Sequence, residues 1–225
     1  MDPTEYRTIH QVQHRHWWYV GMGQITAALL DERYAGRTNL RILDAGCGTG
    51  AAAPYLAPFG QVTGCDISAL ALELCAARGL ERLGQASVTA LPYAPGTFDL
   101  VASFDVLYHR GVGNYRDALD EFRRVLRPGG RVLLRLPAYD WLRGRHDAVI
   151  HTARRFTAGQ LGRDLRAAGF TVERLTYANA LLFPVALAKR LLEGGAAGAN
   201  EGESDVGPNP AWVDAALTRV LGAEA

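Results

Sequence analysis

Two spacings of apolar residues alternate along the chain. Short, nearly continuous runs predict buried strands at Leu40-Arg41-Ile42-Leu43-Asp44, Gln61-Val62-Thr63-Gly64-Cys65-Asp66, Phe98-Asp99-Leu100-Val101-Ala102-Ser103 and Val132-Leu133-Leu134-Arg135-Leu136. A weaker run at Ser87–Thr89 and a longer one at Phe170–Tyr177 predict two more. Between them the spacing is helical. A helix starts at Ala51, and Ser68 can cap the next, which stops at Gly79. From Asn114 to Leu126, the residues Ala118, Leu119, Phe122, Val125 and Leu126 fall on one face. Thr157 and Gln160 form a capping box for a helix that ends at Gly169. Strands alternating with helices predict right-handed crossovers and a doubly wound, mainly parallel α/β sheet covered on both faces.

The flanks differ from this centre. Residues 1–38 predict a polar helical lid, 39–178 the sheet domain, and 179–225 a helical appendage. Within the appendage, Ala180 to Leu192 is apolar but interrupted by Pro184, Lys189 and Arg190. It is too short to span a bilayer, and reads as cover for a pocket or as a subunit contact in preference to a membrane-surface helix. Residues 193–210 read as a mobile Gly-rich loop, and Ala211 to Leu221 as a last helix.

Charge narrows the partners. The 225 residues carry 24 basic and 23 acidic side chains, a net +1 that provides no field for a polyanion, so nucleic acid is not expected. Three cysteines, Cys47, Cys65 and Cys75, with no C-x-x-C pair, predict free thiols in a reducing cytoplasm and no thiolate metal site. The opening MDPTEYRTIH has neither the basic nor the apolar region of a signal peptide.

The chemistry is concentrated in Leu43-Asp44-Ala45-Gly46-Cys47-Gly48-Thr49-Gly50, at the end of the first strand. Glycines there allow a sharp turn and close approach of backbone to a ligand. A pyrophosphate gains from amides and loses from a fixed negative charge, so Asp44 argues against it and suits an ammonium group. The spacing is G-x-G-x-G, unlike the G-x-G-x-x-G of dinucleotide binders. Asp66 ends the second strand, where a carboxylate can accept both hydroxyls of a ribose.

These residues, with Ala90-Leu91-Pro92-Tyr93, Thr97-Phe98-Asp99-Leu100-Val101, Val106-Leu107-Tyr108-His109 and Arg124-Val125-Leu126-Arg127-Pro128-Gly129-Gly130, resemble the class I S-adenosylmethionine-dependent methyltransferases. The similarity is to their small-molecule branch, which includes the ubiquinone and menaquinone enzymes, and it is dense over residues 40–136. It implies a Rossmann-like fold, S-adenosylmethionine as cofactor, no metal, and methyl transfer to a small molecule by in-line displacement. It also implies site residues. Asp44, Gly46 and Gly48, in a loop with Ala45, Cys47 and Gly50, would hold the methionine end. Asp66 would bind the ribose, Ile67 would flank the adenine, and Ala90 and Leu91 would frame it. Ser103 and Phe104 would lie near the sulfonium. Relatives close the sheet with an antiparallel seventh strand, yet no β-branched alternating run follows Tyr177. Six strands are therefore expected, with the open edge covered by the Ala180–Leu192 helix, a second subunit, or chain beyond Ala225.

The acceptor side is less determined. His109 follows the fourth strand and is a candidate general base or a structural histidine. Asp105, Tyr108, His146, Asp147 and His151 are further candidates, and Arg155 could hold an acceptor anion or simply a solvated pair. The cluster His14, His16, Trp17, Trp18 and Tyr19 either staples the first helix down or closes the site. In the second case Trp18 faces the cofactor and Trp17 the acceptor. The expected function is methylation of a small molecule in bacterial specialised metabolism, as a monomer or homodimer, without a membrane or nucleic-acid partner. Two alternatives stay open: a cofactor-binding cyclase or regulator that does not methylate, and a nucleotide-cofactor oxidoreductase.

Overall fold

A computed structural model describes residues 3–144, 147, 150–184, 187–188, 207 and 209–225. The 146 position, most of 185–206, and with them much of the Ala180–Leu192 stretch and the 193–210 loop, lie outside the described residues. Two helices come first, α1 (Pro3–Val12) and α2 (Trp17–Tyr34). The centre runs β1 (Leu40–Ala45), α3 (Ala53–Leu56), β2 (Gly60–Asp66), α4 (Ala69–Ala76), β3 (Leu83–Gln85), β4 (Phe98–Phe104), α5 (Tyr115–Val125), β5 (Leu126–Arg135) and α6 (Ala158–Ala167). A last helix, α7 (Ala211–Gly222), follows.

The sheet is parallel throughout in the order β3-β2-β1-β4-β5. Alternation along the strands divides the core between two faces. Leu43, Ala45 and Val101 point into one cluster with Leu119 and Phe122 of α5. Their neighbours Leu40, Ile42, Leu100 and Ala102 point into the other, against Leu30 and Tyr34 of α2. Each such buried aliphatic side chain contributes roughly 1.5–3 kcal/mol of transfer free energy. The expected caps are in place: the Ser68 and Thr157 hydroxyls accept from the amides of Ala71 and Gln160, at 3.3 Å each.

Two expectations about strands are corrected. The third strand is Leu83–Gln85, not Ser87–Thr89. The Ser87 and Thr89 hydroxyls bond each other at 2.7 Å, and the Ser87 oxygen also takes the Thr89 amide, so the segment folds into a local turn that competes with a ladder. Phe170–Tyr177 forms no strand, leaving five among the described residues. It is tied to its surroundings by side chains instead. Glu173 pairs with Arg131 of β5 at 3.0 Å, Arg174 reaches Glu32, and the Tyr177 hydroxyl accepts from the Ala158 amide. Phe170 and Val172 pack on the core. Among the described residues after Tyr177 no strand joins the sheet, as the missing alternating run predicts.

The tryptophans at the start of α2 anchor it to α7. Trp17 and Trp18 pack with Met22, Ile25 and Leu221. The Trp17 amide donates to Asp214 at 3.1 Å, and His16 caps the helix through the Trp18 amide. Gly21 permits the close approach: a Cβ there would come within 2.8 Å of Leu221.

Candidate functional site

A cavity of about 260 Å³ lies beyond the carboxyl ends of β1, β2 and β4. The glycine loop after β1 forms its floor. Gly46 and Gly48 hold left-handed backbone, φ +81° and +53°, which an L side chain adopts at a cost. The Cys65 carbonyl accepts from the amides of both Gly46 and Cys47, at 2.7 and 3.0 Å, so β2 fixes the turn that leaves β1. Asp66 completes the arrangement: Oδ2 takes the Gly48 amide and Oδ1 the Ser68 amide, each at 2.9 Å.

Asp44 is fully buried, and its Oδ2 has no hydrogen-bond partner among the described residues. Burial is the main cause that lifts its carboxyl to about 7, the nearby Asp66 adds to this, and Arg135 opposes it. Burial also raises Asp66, against the two amides that stabilise its ionised form. A buried carboxylate oxygen without a donor costs stability unless a cationic or N–H group meets it.

Helix α1 closes one side through Tyr6, Ile9 and Gln13. Gln13 and Thr49 bond reciprocally: the Thr49 hydroxyl donates to Gln13 Oε1 at 2.6 Å, and Gln13 Nε2 donates to the Thr49 carbonyl at 3.3 Å. Arg78, just past α4, donates to the His10 carbonyl, tying the helix down at its last turn. Burial, followed by Asp66, pushes the Tyr6 hydroxyl up to about 12.

The opposite side is aromatic and charged. Tyr19, Tyr55, Phe104 and Tyr108 line it with Asp105 and Arg135. Asp105 holds a left-handed φ of +57°, and its amide donates to the Arg135 carbonyl at 2.9 Å. Arg135 directs both Nε and Nη2 to Asp105 Oδ2 at 2.8 Å and lies over the Phe104 ring.

Of the residues singled out in the sequence, the cavity brings together Tyr19, Asp44, Gly46, Cys47, Gly48, Asp66, Ile67, Phe104, Asp105, Tyr108 and His109. Ala45 and Gly50 support the loop from outside the lining, and Ser103 is fully buried, donating to the Ala45 carbonyl at 2.7 Å. Leu91 points into the core, its amide held by Glu121 at 2.7 Å, while Ala90 is exposed; Ala86, Ser87 and Val88 line the cavity in their place. Trp17 and Trp18 lie in the α2–α7 contact, away from the lining, because their apolar surface is taken up by Leu221. Arg155 is bound on both sides of its fork by Asp147, at 2.9 and 3.0 Å, and also donates to the Ala138 carbonyl. His151 is exposed, edge-on to His109. His146 lies outside the described residues.

His109 differs from its expected role. Its Nδ1 accepts from the Gly111 amide at 3.0 Å, so a neutral ring keeps its proton on Nε2 and donates there. Burial is the main cause that lowers it to about 4, with His151 a smaller one, which keeps it neutral near pH 7. What sequence reasoning missed is Tyr6, Gln13, Tyr55 and Arg135. They come from separate elements, and only their shared cavity identifies them.

Comparison with known proteins agrees with the resemblance. Residues 43–134 match a family model described as a methyltransferase domain. The chain is 42% identical over 102 residues to the demethylmenaquinone methyltransferase of Thermus thermophilus, covering 42% of this chain and 46% of that protein. It is 38% identical over 107 residues to the malonyl-[acyl-carrier protein] O-methyltransferase of Enterobacter lignolyticus, covering 47% and 42%. The crystal structure of the [4+2]-cyclase SpnF is similar at a TM-score of 0.58 and 25% identity, over 88% of this chain and 73% of that one. The chain spans about half the length of the curated relatives it matches.

Proposed function

We propose that this chain, whose residues 43–134 form a methyltransferase domain of the class I, S-adenosylmethionine-dependent type, methylates a small molecule. The observation that carries the reading is the pair of carboxylates flanking one glycine loop. Asp44 presents a buried oxygen without a partner, and Asp66 is fixed by two amides at the end of the next strand. The first suits the ammonium of the methionine end, and the second can still accept from ribose hydroxyls. Gly46 and Gly48 would hold the methionine end, Ile67 and Ala86–Val88 would flank the adenine, and α1 would close over it through Tyr6 and Gln13.

The sulfonium of the bound cofactor supplies a methyl group already activated for displacement. The protein's own contribution is alignment and exclusion of water, to which the Gln13–Thr49 contact and the aromatic wall contribute. Asp44 argues against a pyrophosphate at the loop, and hence against a nicotinamide dinucleotide. Three free cysteines support a reducing, cytoplasmic setting, and specialised metabolism is the proposed context of the acceptor. Calorimetry with S-adenosylhomocysteine and with NAD tests the reading. Binding of the first alone supports it, and binding of NAD alone removes it.

A second reading has one observation in its favour, the likeness to a [4+2]-cyclase over most of the chain. Under it the cofactor is bound but not consumed. Incubation with methyl-tritiated S-adenosylmethionine and a cell extract separates the two: label transferred to a small product favours methylation, and cofactor recovered intact favours the cyclase type.

A further inference from the structure

We propose that Asp105, positioned by Arg135, is the residue that engages the acceptor, and that the acceptor is a flat, uncharged molecule whose reacting atom carries hydrogen as O–H or N–H. This rests on the methyl-transfer reading above.

Asp105 is built for one orientation. Its left-handed backbone is held by its own amide on the Arg135 carbonyl, and its carboxylate by the Arg135 fork. Both guanidinium contacts fall on Oδ2, so Oδ1 is left to the cavity that the residue lines. The next residue, Val106, packs on the glycine loop so closely that a Cβ on Gly46 would come within 2.3 Å of it. Asp105 therefore stands where the loop for the methionine end and the aromatic wall meet.

Other groups in the cavity do not fill the role. His109 has Nδ1 engaged by Gly111 and keeps its proton on Nε2. Burial raises Tyr19 and Tyr108, which remain protonated near neutral pH. Asp44 and Asp66 are assigned to the cofactor. Asp105 is then the carboxylate left to accept a hydrogen bond from the acceptor. Asp105 turns a carboxylate oxygen towards the acceptor, which disfavours an anionic one, and the tyrosine and phenylalanine rings suit a flat one. In the transfer the acceptor's lone pair forms the bond to the methyl carbon, and the carbon–sulfur bond breaks with its electron pair left on sulfur. The acceptor's proton passes to Asp105 Oδ1 and from there to water.

The test uses the full chain saturated with S-adenosylhomocysteine and three probes of similar size: catechol, aniline and benzoate, titrated by ligand-observed NMR. Catechol and aniline are expected to bind and benzoate not to. Asp105→Asn, which tolerates the same backbone, is expected to weaken catechol roughly tenfold or more while S-adenosylhomocysteine affinity is kept. If the single variant leaves Arg135 unpaired and misfolds, Asp105→Asn with Arg135→Met replaces it. Arg135→Met alone should lose catechol, and Arg135→Lys should recover part of the binding, a rescue that a purely structural role does not require. Benzoate binding as well as catechol, no binding of catechol or aniline, or catechol affinity within twofold of wild type in the Asp105 variant overturns the proposal. Failure of the wild type to bind S-adenosylhomocysteine overturns the methyl-transfer reading instead.

Discussion

The Gly48 amide donates to Asp66 Oδ2 at 2.9 Å, so the carboxylate that ends β2 holds the turn that follows β1. One side chain thus shapes the loop and faces the cavity. Asp66→Ala removes the acceptor for ribose hydroxyls together with the anchor for two amides. S-adenosylhomocysteine affinity should fall roughly 30- to 1000-fold by calorimetry. The melting temperature should fall as well, because Gly48 and Ser68 lose their partner. An affinity within twofold of wild type would take Asp66 out of the site.

Asp44 sets a pH dependence whose sign follows from its burial. Its carboxyl is raised from an ordinary 3.8 to about 7, so the folded protein keeps a proton that the unfolded chain releases. The contribution to stability is present below pH 4 and is lost as pH rises through about 7. A ligand ammonium favours the ionised form and reverses the trend for binding. S-adenosylhomocysteine should bind roughly tenfold more tightly at pH 8 than at pH 6, releasing a proton at the lower pH. Asp44→Asn should flatten that slope. Equal affinity at both pH values in the wild type would refute the assignment.

Helix α1 is held over the cavity by Gln13 on Thr49 and by His10 on Arg78, whereas α2 is fixed independently by Asp214 and Leu221. Deleting residues 1–15 should therefore spare the melting temperature and weaken S-adenosylhomocysteine at least about tenfold, the order of one or two lost contacts. Gln13→Ala should reproduce part of the loss. Undiminished affinity in the truncated protein would show that α1 is packing and not a lid.

The part of this site that could be read from sequence is the part that is contiguous. Asp44 to Gly50 and Asp66 declare themselves because strand, glycine turn and strand-end acid follow in order. The acceptor wall does not: Tyr19 and Asp105 stand in the sequence only as two among several candidates, and Tyr55 and Arg135 join them from α3 and β5 only after the sheet forms. Trp17 and Trp18 suggested a lid because their partner, Leu221, lies some two hundred residues away and leaves no local trace. Phe170–Tyr177 is rich in strand-forming residues, but composition cannot reveal whether its backbone comes into register with a neighbouring ladder. Ser87–Thr89 shows the converse: two hydroxyls that bond each other make a turn of a run that reads as β.

Arg155 was a candidate for holding an acceptor anion, and its geometry predicts a different phenotype. Its fork meets both oxygens of Asp147, and the side chains are 14% and 7% exposed, so the pair is close to buried. Removing one partner of a buried pair leaves the other charge uncompensated. Arg155→Ala should cost roughly 2–4 kcal/mol of stability, somewhat below the full penalty because water still reaches the guanidinium. Burial alone would raise the Asp147 carboxyl, but Arg155 and the Gly144 amide hold it below the ordinary carboxylate value. A depressed pKa stabilises the fold above the unfolded value and is lost as pH falls through the folded one, so the gap between variant and wild type should shrink below about pH 4. Denaturant melts at pH 7 and pH 3 measure both terms, and calorimetry with S-adenosylhomocysteine at pH 7 should show unchanged affinity. A variant that melts like wild type yet loses turnover of an anionic acceptor would return Arg155 to the substrate site.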